Sequence, residues 1–513
     1  MYYIIVSDVF ILFCRGAMMK KIGFDNELYL KKQSEMIIKR VSEFGGKLYL
    51  ELGGKLFDDF HASRVLPGFK PDTKLQMLKK LADDIEVVIA INANDIENNK
   101  IRRDIGITYD ADVLRLIDAY RAAGLYVGSV VLTQYSNQPS GNAFKAKLEG
   151  LGVKVYIHYP IEGYPYNVAH IVSDEGFGKN EYVETERRII IVTAPGPGSG
   201  KLATCLSQLY HENKRGIKAG YAKYETFPIW NLPLKHPVNL AYEAATADLN
   251  DVNMIDPYHL EAYGETTVNY NRDVEAFPVL NAIFQKIEGR SPYKSPTDMG
   301  VNMAGYGICD DEICRQASKD EIIRRYFAAL CDVKQGRGKQ SAVDKIESLM
   351  TQAGISVDDR PVIAAALKRS KETENQPAVA IQLPDGRIVT GKTSNLLGPS
   401  SAALLNAAKA LAGVPEDLLT IAPTIIEPIQ KVKTGILKNH NPRLHLDETL
   451  IALAMSANTN PVAKKALDAI GDLAGSEAHS TVILSQVDQD VFRKMGVNLT
   501  CEPIYQTKKL YHR

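Results

Sequence analysis

The first half of the chain alternates between extended and helical hydrophobic patterns. Apolar or β-branched runs that fit buried strands occur at 47–52, 86–92, 126–135, 154–159, 189–193 and 219–227. Glycine-marked loops join them to amphipathic stretches that fit helices, at 35–44, 72–81, 110–123, 142–151 and 201–212. Strands that are apolar throughout and alternate with helices are typical of a parallel sheet covered on both faces. The pattern predicts an α/β domain with a doubly wound parallel sheet.

The most informative stretch is the turn APGPGSG, between the strand at 189–193 and the helix that begins at Lys201. A strand, a glycine turn, a lysine and a helix together make a phosphate-binding loop. Its backbone N–H groups and helix N-terminus attract an anion, and the lysine contacts the outer phosphates. We therefore predict a nucleotide site in which Lys201 is also catalytic. The predicted cofactor-binding residues are Gly196, Gly198, Ser199, Gly200, Lys201 and Thr204.

The turn departs from the phosphate-loop consensus in two places. Pro195 stands where the first glycine is expected, and Leu202 stands where a serine or threonine would hold Mg²⁺. The nearest hydroxyl groups belong to Ser199 and Thr204. The alternative interpretation is an ordinary glycine-rich turn of a doubly wound sheet, with no ligand.

Polar residues follow several of the predicted strands, where ligands bind in parallel α/β sheets. Lys223 and Glu225 follow the strand after the glycine turn, and we predict that they orient the reactants in catalysis. A second group of basic residues follows the strand at 86–92 and could clamp an anionic substrate, although a solvated charged loop is the alternative. The predicted substrate-binding residues are Lys55, Asn92, Arg102, Arg103 and His158.

The second half of the chain divides into a helical region and another α/β pattern. Residues 273–372 are mainly helical in pattern, and residues 373–513 begin with a predicted hairpin around Asp385. A helix at 400–413, a strand at 480–486, a helix at 488–495 and a strand at 499–505 follow. We predict an α/β phosphate-loop-like domain at 18–272, a helical middle region at 273–372 and a second α/β domain at 373–513.

Composition narrows the classes of function. The chain has 61 basic and 61 acidic residues, so its net charge favours neither a nucleic-acid nor an anionic-membrane partner. Its six cysteines are scattered, which suits a reducing cytosol. The apolar start at 1–17 is too short to span a bilayer, and we interpret it as a non-native extension before Met18, with a signal anchor as the alternative. We expect a cytoplasmic protein with a small-molecule substrate. The sequence leaves open whether the chain forms a homo-oligomer.

No histidine pair has the spacing that places two imidazoles on one helix face, so no zinc is expected. Asp248 and Asp251 lie in a polar segment and are the predicted ligands of Mg²⁺, in place of the hydroxyl missing at Leu202. The alternative is that these aspartates form turns and helix caps.

Four runs carry a resemblance to a known family: GGKLYLELGGKLFDDFHASRVLPGF, INANDIENNKIRRDIGITYD, TAPGPGSGKLATCLSQLYHE and PLKHPVNLAYEAATADLNDVNMIDPYHLEAYG. From Lys20 to its end, the chain resembles an uncharacterised family of bacterial cytosolic proteins of similar length. Members are sometimes labelled ATP-dependent zinc proteases. Lys201 gives some support to the dependence on ATP, and nothing in the chain supports a protease activity.

Two more distant resemblances concern parts of the chain. The glycine turn followed by GIKAGYAKYE resembles ATP-dependent enzymes of the dethiobiotin synthetase kind. In those enzymes a lysine at the end of the next strand, here Lys223, meets nucleotide or substrate. The C-terminal hairpin and helix are similar in outline to the cytidine deaminase fold. The helix begins Gly398-Pro399-Ser400-Ser401 and has neither the Cys/His ligand nor the glutamate of zinc deamination.

Three hypotheses of different classes follow. The leading one is a cytosolic transferase or ligase that binds ATP or another nucleotide with Mg²⁺ and activates a small anionic metabolite by phosphoryl transfer. The second is a non-catalytic sensor or scaffold for a nucleotide or phosphometabolite. The third is a hydrolase with a dispersed metal site.

Overall fold

The computed structural model describes residues 22–53, 56–57, 59–102 and 106–506. The predicted extension at 1–17, Lys55 and Arg103 lie outside the described residues. Backbone contacts divide the chain into two compact units. The N-terminal unit comprises residues 22–243 and 250–318, and the described part of the C-terminal unit comprises residues 244–249 and 319–506. The predicted middle region, 273–372, contributes residues to both units.

The N-terminal unit is built on a parallel sheet. Its strands in chain order are β1 (Leu48–Leu52), β2 (Ile85–Asn92), β3 (Ile101–Arg102), β4 (Ile107–Thr108), β5 (Tyr126–Thr133), β6 (Lys154–Ile157), β7 (Ile189–Thr193), β8 (Gly220–Tyr224), β9 (Asn253–Ile255), β10 (Val268–Tyr270) and β11 (Gly300–Val301). Seven of them form one sheet in the order β11-β8-β1-β7-β2-β5-β6, and every neighbouring pair is parallel. The predicted parallel sheet is therefore confirmed.

Alternate residues of the central strands pack into separate cores on the two faces of this sheet. Leu48, Leu50 and Leu52 of β1 join one core, and Tyr49 joins the other. The period of two in a strand places successive side chains on opposite faces, so a strand covered on both faces must be apolar throughout. This is why the apolar runs in the sequence located the strands well.

The helices up to residue 334 include those that cover the two faces of this sheet. In chain order they are α1 (Asn26–Glu43), α2 (Phe60–Val65), α3 (Thr73–Lys80), α4 (Ala93–Glu97), α5 (Tyr109–Ala122), α6 (Pro139–Gly150), α7 (Val168–Ile171), α8 (Lys201–Lys214), α9 (Pro237–Ala245), α10 (Pro257–Tyr263), α11 (Asn271–Glu288), α12 (Pro296–Met299) and α13 (Asp311–Lys334). The predicted start of the first helix at residue 35 is wrong. The helix begins at Asn26, where the Asp25 side chain accepts a hydrogen bond from the Leu28 N–H. Gln33 hid the pattern, because this polar residue is fully buried and donates to the Val301 carbonyl.

The C-terminal unit has a smaller mixed sheet. Its helices and strands after α13 are α14 (Gln340–Ala353), α15 (Pro361–Glu372), β12 (Ala378–Gln382), β13 (Ile388–Lys392), α16 (Pro399–Leu411), α17 (Pro423–Lys431), α18 (Leu446–Ser456), α19 (Pro461–Asp468), β14 (Glu477–Ser480), α20 (Gln486–Lys494) and β15 (Asn498–Cys501). The sheet order is β13-β12-β14-β15, with β14 and β15 parallel and the other pairs antiparallel. The predicted hairpin is confirmed as β12 and β13.

The strand predicted at 480–486 is wrong, because β14 lies just before it. The sequence of β14 is EAHS, which carries two ionisable residues and does not look like a buried strand. The structure accommodates both residues through partners. Glu477 accepts from the Arg360 guanidinium at 2.7 Å, and His479 Nδ1 lies 2.8 Å from Thr500 Oγ1. Such compensation depends on residues far apart in sequence and is invisible to a local pattern.

Candidate functional site

The glycine turn lies at the carboxyl edge of the parallel sheet, between β7 and α8. Gly198 and Gly200 have φ values of +78° and +89°, in the left-handed region that favours glycine. A Cβ atom at Gly200 would lie 2.9 Å from side-chain atoms of Thr133, at the end of β5. The conformation of the turn and its close approach to β5 therefore both require glycine at position 200.

Neighbouring strands hold the turn by its carbonyl groups. Thr133 Oγ1 donates to the Ser199 carbonyl at 2.8 Å, and Asn92 Nδ2 donates to the Gly198 carbonyl at 3.3 Å. Ser199 Oγ donates to the Gly196 carbonyl at 3.0 Å. These three carbonyl groups of the turn already accept hydrogen bonds from the protein. The backbone N–H groups of the turn are then the polar groups that could bind a ligand.

The donors of the turn have no partner within the described part of the chain. The backbone N–H groups of Gly198, Ser199, Gly200 and Lys201 donate no hydrogen bond to a described residue. Gly200 caps α8 without a side-chain hydrogen bond, so the first turn of this helix is also without a side-chain acceptor. Unpaired N–H groups and the positive end of a helix attract an anion at the same place.

Lys201 begins α8, and its ammonium forms no hydrogen bond or ion pair with the residues that the structure describes. Burial raises the pKa of the Cys205 thiol, one turn further along the helix, well above its usual range. Glu51 raises that pKa further, and Lys201 lowers it. Both charged residues therefore act on the same buried thiol.

The hydroxyl groups nearest to the turn donate to its own carbonyls. Thr204 Oγ1 donates to the Gly200 carbonyl at 2.9 Å, as Ser199 Oγ donates to Gly196. Leu202, in the position of the consensus hydroxyl, supplies no oxygen. Neither hydroxyl is therefore free to hold Mg²⁺ in place of the consensus serine or threonine.

A second polar cluster lies two strands away, and we call Lys223, Glu225, Tyr270 and Asp273 the Lys223 cluster. Lys223 Nζ is 2.8 Å from Glu225 Oε1 and also contacts the Asp273 carboxylate and the Tyr270 hydroxyl. The ammonium lies 4.6 Å from the centroid of the Tyr270 ring. The side chains of Lys223, Glu225 and Asp273 are 17%, 6% and 20% exposed, so the cluster is mostly shielded from water.

Burial and charge act in opposite directions on this cluster. Burial tends to lower the pKa of Lys223, but the carboxylates of Asp273 and Glu225 raise it well above its usual range. Burial raises the pKa of Glu225 to about 7, which Lys223 opposes and Asp273 reinforces. A carboxyl group that titrates near neutral pH can accept a proton during a reaction.

Glu51 lies beside the Lys223 cluster, on the strand between β8 and β7. On β1 it is paired with Val192 of β7 on one side and with Lys223 of β8 on the other. Paired residues of neighbouring parallel strands point to the same face, and two strand spacings amount to about 10 Å. Tyr221 donates to Glu51 Oε2 at 2.9 Å. Glu51 therefore lies on the same face as Lys223, one strand closer to β7, the strand that leads into the glycine turn.

Sequence reasoning missed Glu51, Tyr270 and Asp273. Glu51 offered a signal, because it is the one charged residue of the buried strand β1 and only 9% exposed. Buried carboxylates are uncommon unless they are paired or functional. Tyr270 and Asp273 offered no such signal, since they come from a segment without regular period and reach Lys223 only through the fold.

Two family models cover nearly the whole chain. The model described as "Domain of unknown function DUF1846, N-terminal" matches residues 22–354, and "Domain of unknown function DUF1846, C-terminal" matches residues 358–511. The chain belongs to the DUF1846 family. A UPF0371 protein of Streptococcus pyogenes serotype M5 is 57% identical over 495 residues, which is 96% of this chain and 100% of the relative. A UPF0371 protein of Streptococcus thermophilus strain CNRZ 1066 matches at the same identity and coverage. The expected uncharacterised bacterial family is confirmed, and these descriptions carry no activity.

Other predicted site residues of this DUF1846 protein lie apart from the turn or are engaged elsewhere. His158, after β6, is 3% exposed, and its Nε2 lies 3.1 Å from the Glu181 carbonyl oxygen. Burial lowers the pKa of His158 to about 4, so the ring is neutral at physiological pH. Arg102 donates to Asp112 at 2.8 Å, and Asp112 is fully buried on α5. Both side chains have structural partners where they stand.

The two predicted Mg²⁺ ligands fall in different units. Asp248 is exposed on a short 3-10 turn, Ala247–Leu249, in the C-terminal unit. Asp251 belongs to the N-terminal unit and is 1% exposed. The guanidinium of Arg272 donates to Asp251 Oδ2 at 2.8 Å. Within the described ranges, no group of three or more His, Cys, Asp or Glu residues is arranged to hold a metal ion.

No helix in the described ranges is both long enough and apolar enough to cross a membrane.

Proposed function

We propose that this DUF1846 protein binds the phosphate groups of ATP or another nucleotide at the glycine turn. The supporting observation is that the backbone N–H groups from Gly198 to Lys201, at the start of α8, have no acceptor among the described residues, and neither does the Lys201 ammonium. Backbone N–H groups at the start of a helix are of the kind that binds phosphate oxygens. We place this activity in the cytosol, in keeping with the scattered cysteines.

The proposed reaction is transfer of a phosphoryl group from the nucleotide to a small metabolite. Lys201 and the turn amides would stabilise charge on the transferring group. Glu225 would accept a proton from the acceptor, held in place by Lys223, which also contacts Asp273. Two strand spacings, about 10 Å, separate β7, which leads into the turn, from β8, which carries Lys223; the phosphate would lie at the first and the acceptor at the second.

The charges of the cluster revise the expected acceptor. An anionic metabolite would need free cations, but Lys223 already faces two carboxylates and Glu51 adds a third nearby. Arg102 is committed to Asp112. We therefore propose an acceptor group that is neutral or cationic rather than anionic.

The residues fit the nucleotide phosphates better than they fit Mg²⁺. Leu202 supplies no oxygen, and Asp251 is engaged by Arg272. When bound with the nucleotide, Mg²⁺ would neutralise phosphate charge, but no described ligand set holds it in the protein. We accordingly expect nucleotide binding to depend less on Mg²⁺ than in a phosphate loop that has the hydroxyl.

A second candidate, a non-catalytic nucleotide sensor, is favoured by the same missing hydroxyl. The discriminating experiment incubates the protein with γ-labelled ATP and a desalted extract of bacterial metabolites, and follows the label by mass spectrometry. Transfer to a metabolite in wild type but not in Glu225→Gln supports the enzyme. Nucleotide binding without transfer or hydrolysis supports the sensor, and absence of binding contradicts both.

The C-terminal unit carries a weaker proposal. The hairpin β12–β13 is followed by α16, and the deaminase-like outline of this part stays a proposal. However, α16 begins with Pro399, Ser400 and Ser401 in place of zinc ligands and a catalytic glutamate. We propose no zinc chemistry for this unit and assign it no reaction.

A further inference from the structure

A cavity of about 480 Å³ lies in the N-terminal unit, beside the end of α11. Its volume is within the range of small-molecule sites. No residue of the glycine turn or of the Lys223 cluster lines it. Its walls come from α10, from α11 and from the loop between α11 and α12, and they consist of Tyr258, Glu261, Ala262, Asn281, Gln285, Arg290, Ser291, Tyr293 and Lys294.

One side of the cavity is cationic. Arg290 and Lys294 lie in the loop after α11, and both are exposed. Neither side chain forms a hydrogen bond or an ion pair with a residue that the structure describes. Lys294 Nζ lies 5.2 Å from the centroid of the Tyr263 ring, which leaves its N–H groups available. Two unpaired cations on one wall favour an anionic group such as a carboxylate.

Acceptor groups line the other walls. Glu261 of α10 is exposed and forms no ion pair with the described residues. Asn281 and Gln285 are four residues apart on α11 and therefore lie on one face of the helix. Asn281 Oδ1 is buried and has no hydrogen-bond donor in the described part of the chain. The Asn281 side chain nevertheless lines the cavity, so an apolar replacement there changes the polarity of the wall.

Two aromatic side chains complete the cavity. Tyr293 is 3% exposed, its hydroxyl donates to the Tyr221 carbonyl, and its ring packs 4.8 Å from that of Phe284. The Tyr258 ring packs 4.9 Å from that of Phe277. Both rings are fixed by core contacts and give the cavity a rigid apolar surface.

We propose that this cavity binds a small zwitterion, namely a free α-amino acid. Its carboxylate would meet Arg290 and Lys294, its ammonium would meet Glu261, and its side chain would lie against the tyrosine rings. Each of these three charged groups thereby gains a partner of the opposite charge. The site is separate from the glycine turn, so it does not depend on nucleotide binding.

Isothermal titration of the full chain with the common L-α-amino acids tests this proposal. At least one amino acid should bind, and Arg290→Ala and Asn281→Leu should each weaken it about tenfold or more. Lys286→Ala is the matched control, because Lys286 is exposed on α11 and does not line the cavity. Acetate and methylammonium, each with one of the two charges, should bind much more weakly than the amino acid.

Three results would overturn the proposal. They are the absence of binding by every amino acid, equal affinity in wild type and Arg290→Ala, and binding of acetate as tight as that of the amino acid. If Asn281→Leu does not fold, Arg290→Ala still decides, since an exposed arginine can be shortened without disturbing the core.

Discussion

Replacement of Lys223 by methionine should destabilise the N-terminal unit strongly. Methionine keeps the length of the side chain and removes its charge, so that Glu225 and Asp273 face each other without a cation. In the wild-type protein Lys223 Nζ lies 2.8 Å from Glu225 and also contacts Asp273. The change therefore isolates the charge of the lysine from its packing.

The magnitude follows from the burial of the three side chains. Removing one partner of a buried ion pair costs about 3–5 kcal/mol, because the remaining charge stays desolvated. Asp273 keeps 20% of its side-chain exposure and Glu225 keeps 6%, so one carboxylate retains some water. We expect a loss near the lower end, about 3 kcal/mol in the free energy of unfolding.

The loss should shrink as the pH falls. Burial raises the pKa of Glu225 to about 7 in the folded protein, above its ordinary value of 4.5, and loss of Lys223 would raise it further. The folded variant then binds more protons than its unfolded chain between these values, so its stability rises with falling pH. The deficit relative to wild type should therefore be largest at about pH 8 and smaller at about pH 6.

The assay is urea unfolding followed by the fluorescence of Trp230, the one tryptophan of the chain. Trp230 and Glu225 both border Gly300, so the signal reports on the unit that carries the cluster. Adding Glu225→Gln and Asp273→Asn to Lys223→Met should recover most of the lost stability, because the Lys223 cluster then carries no charge. A loss below about 1 kcal/mol for Lys223→Met, or a triple variant less stable than the single one, would refute the reasoning.

Two further predictions concern residues near the sheet edge. His158→Gln should reduce the loss of stability that the wild-type protein shows at acid pH. The pKa of His158 is 6.5 in the unfolded chain and about 4 in the folded protein, so the wild-type free energy of unfolding falls by about 3 kcal/mol as the pH drops from 6.5 to 4. Urea unfolding across that range checks this, and an unchanged slope in the variant would contradict it. Gly200→Ala should lower the free energy of unfolding by about 1–3 kcal/mol, because the φ of +89° is strained for alanine and the new methyl group meets Thr133. The control is Gly471→Ala, whose methyl group would lie in open space. Equal stability of the two variants in urea unfolding would contradict this prediction.

The sequence located the parallel sheet well because its strands are buried on both faces. Leu48 to Leu52 can be apolar at nearly every position only in such a layer, and the exception, Glu51, is a site residue. The glycine turn was equally visible, since position 200 tolerates no side chain beside Thr133. Patterns within a short stretch of sequence thus predicted the strands and the turn, whose conformations depend mainly on that stretch.

The missed features depend on partners that are distant in sequence. The start of α1 was hidden by Gln33, which is buried because Val301 accepts its hydrogen bond. The strand β14 was hidden by Glu477, which is stabilised by Arg360. Asp273 reaches Lys223 only because α11 packs against β8, on the face of the sheet where Tyr221 lies. None of these contacts follows from periodicity or composition.

The central claim is that the turn from Gly198 to Lys201 binds nucleotide phosphates, and calorimetric titration with ATP of wild type and Lys201→Ala tests it most directly. Loss of one charge-assisted contact should weaken binding by about 1.5–3 kcal/mol, or about 10- to 150-fold, with little change in stability. Lys214→Ala, at the other end of α8, should bind as wild type does. Omitting Mg²⁺ should change the affinity of the wild-type protein little, because Leu202 offers no metal ligand. Equal affinity of wild type and Lys201→Ala, or no binding of ATP by either, would contradict the claim and leave the turn a purely structural element.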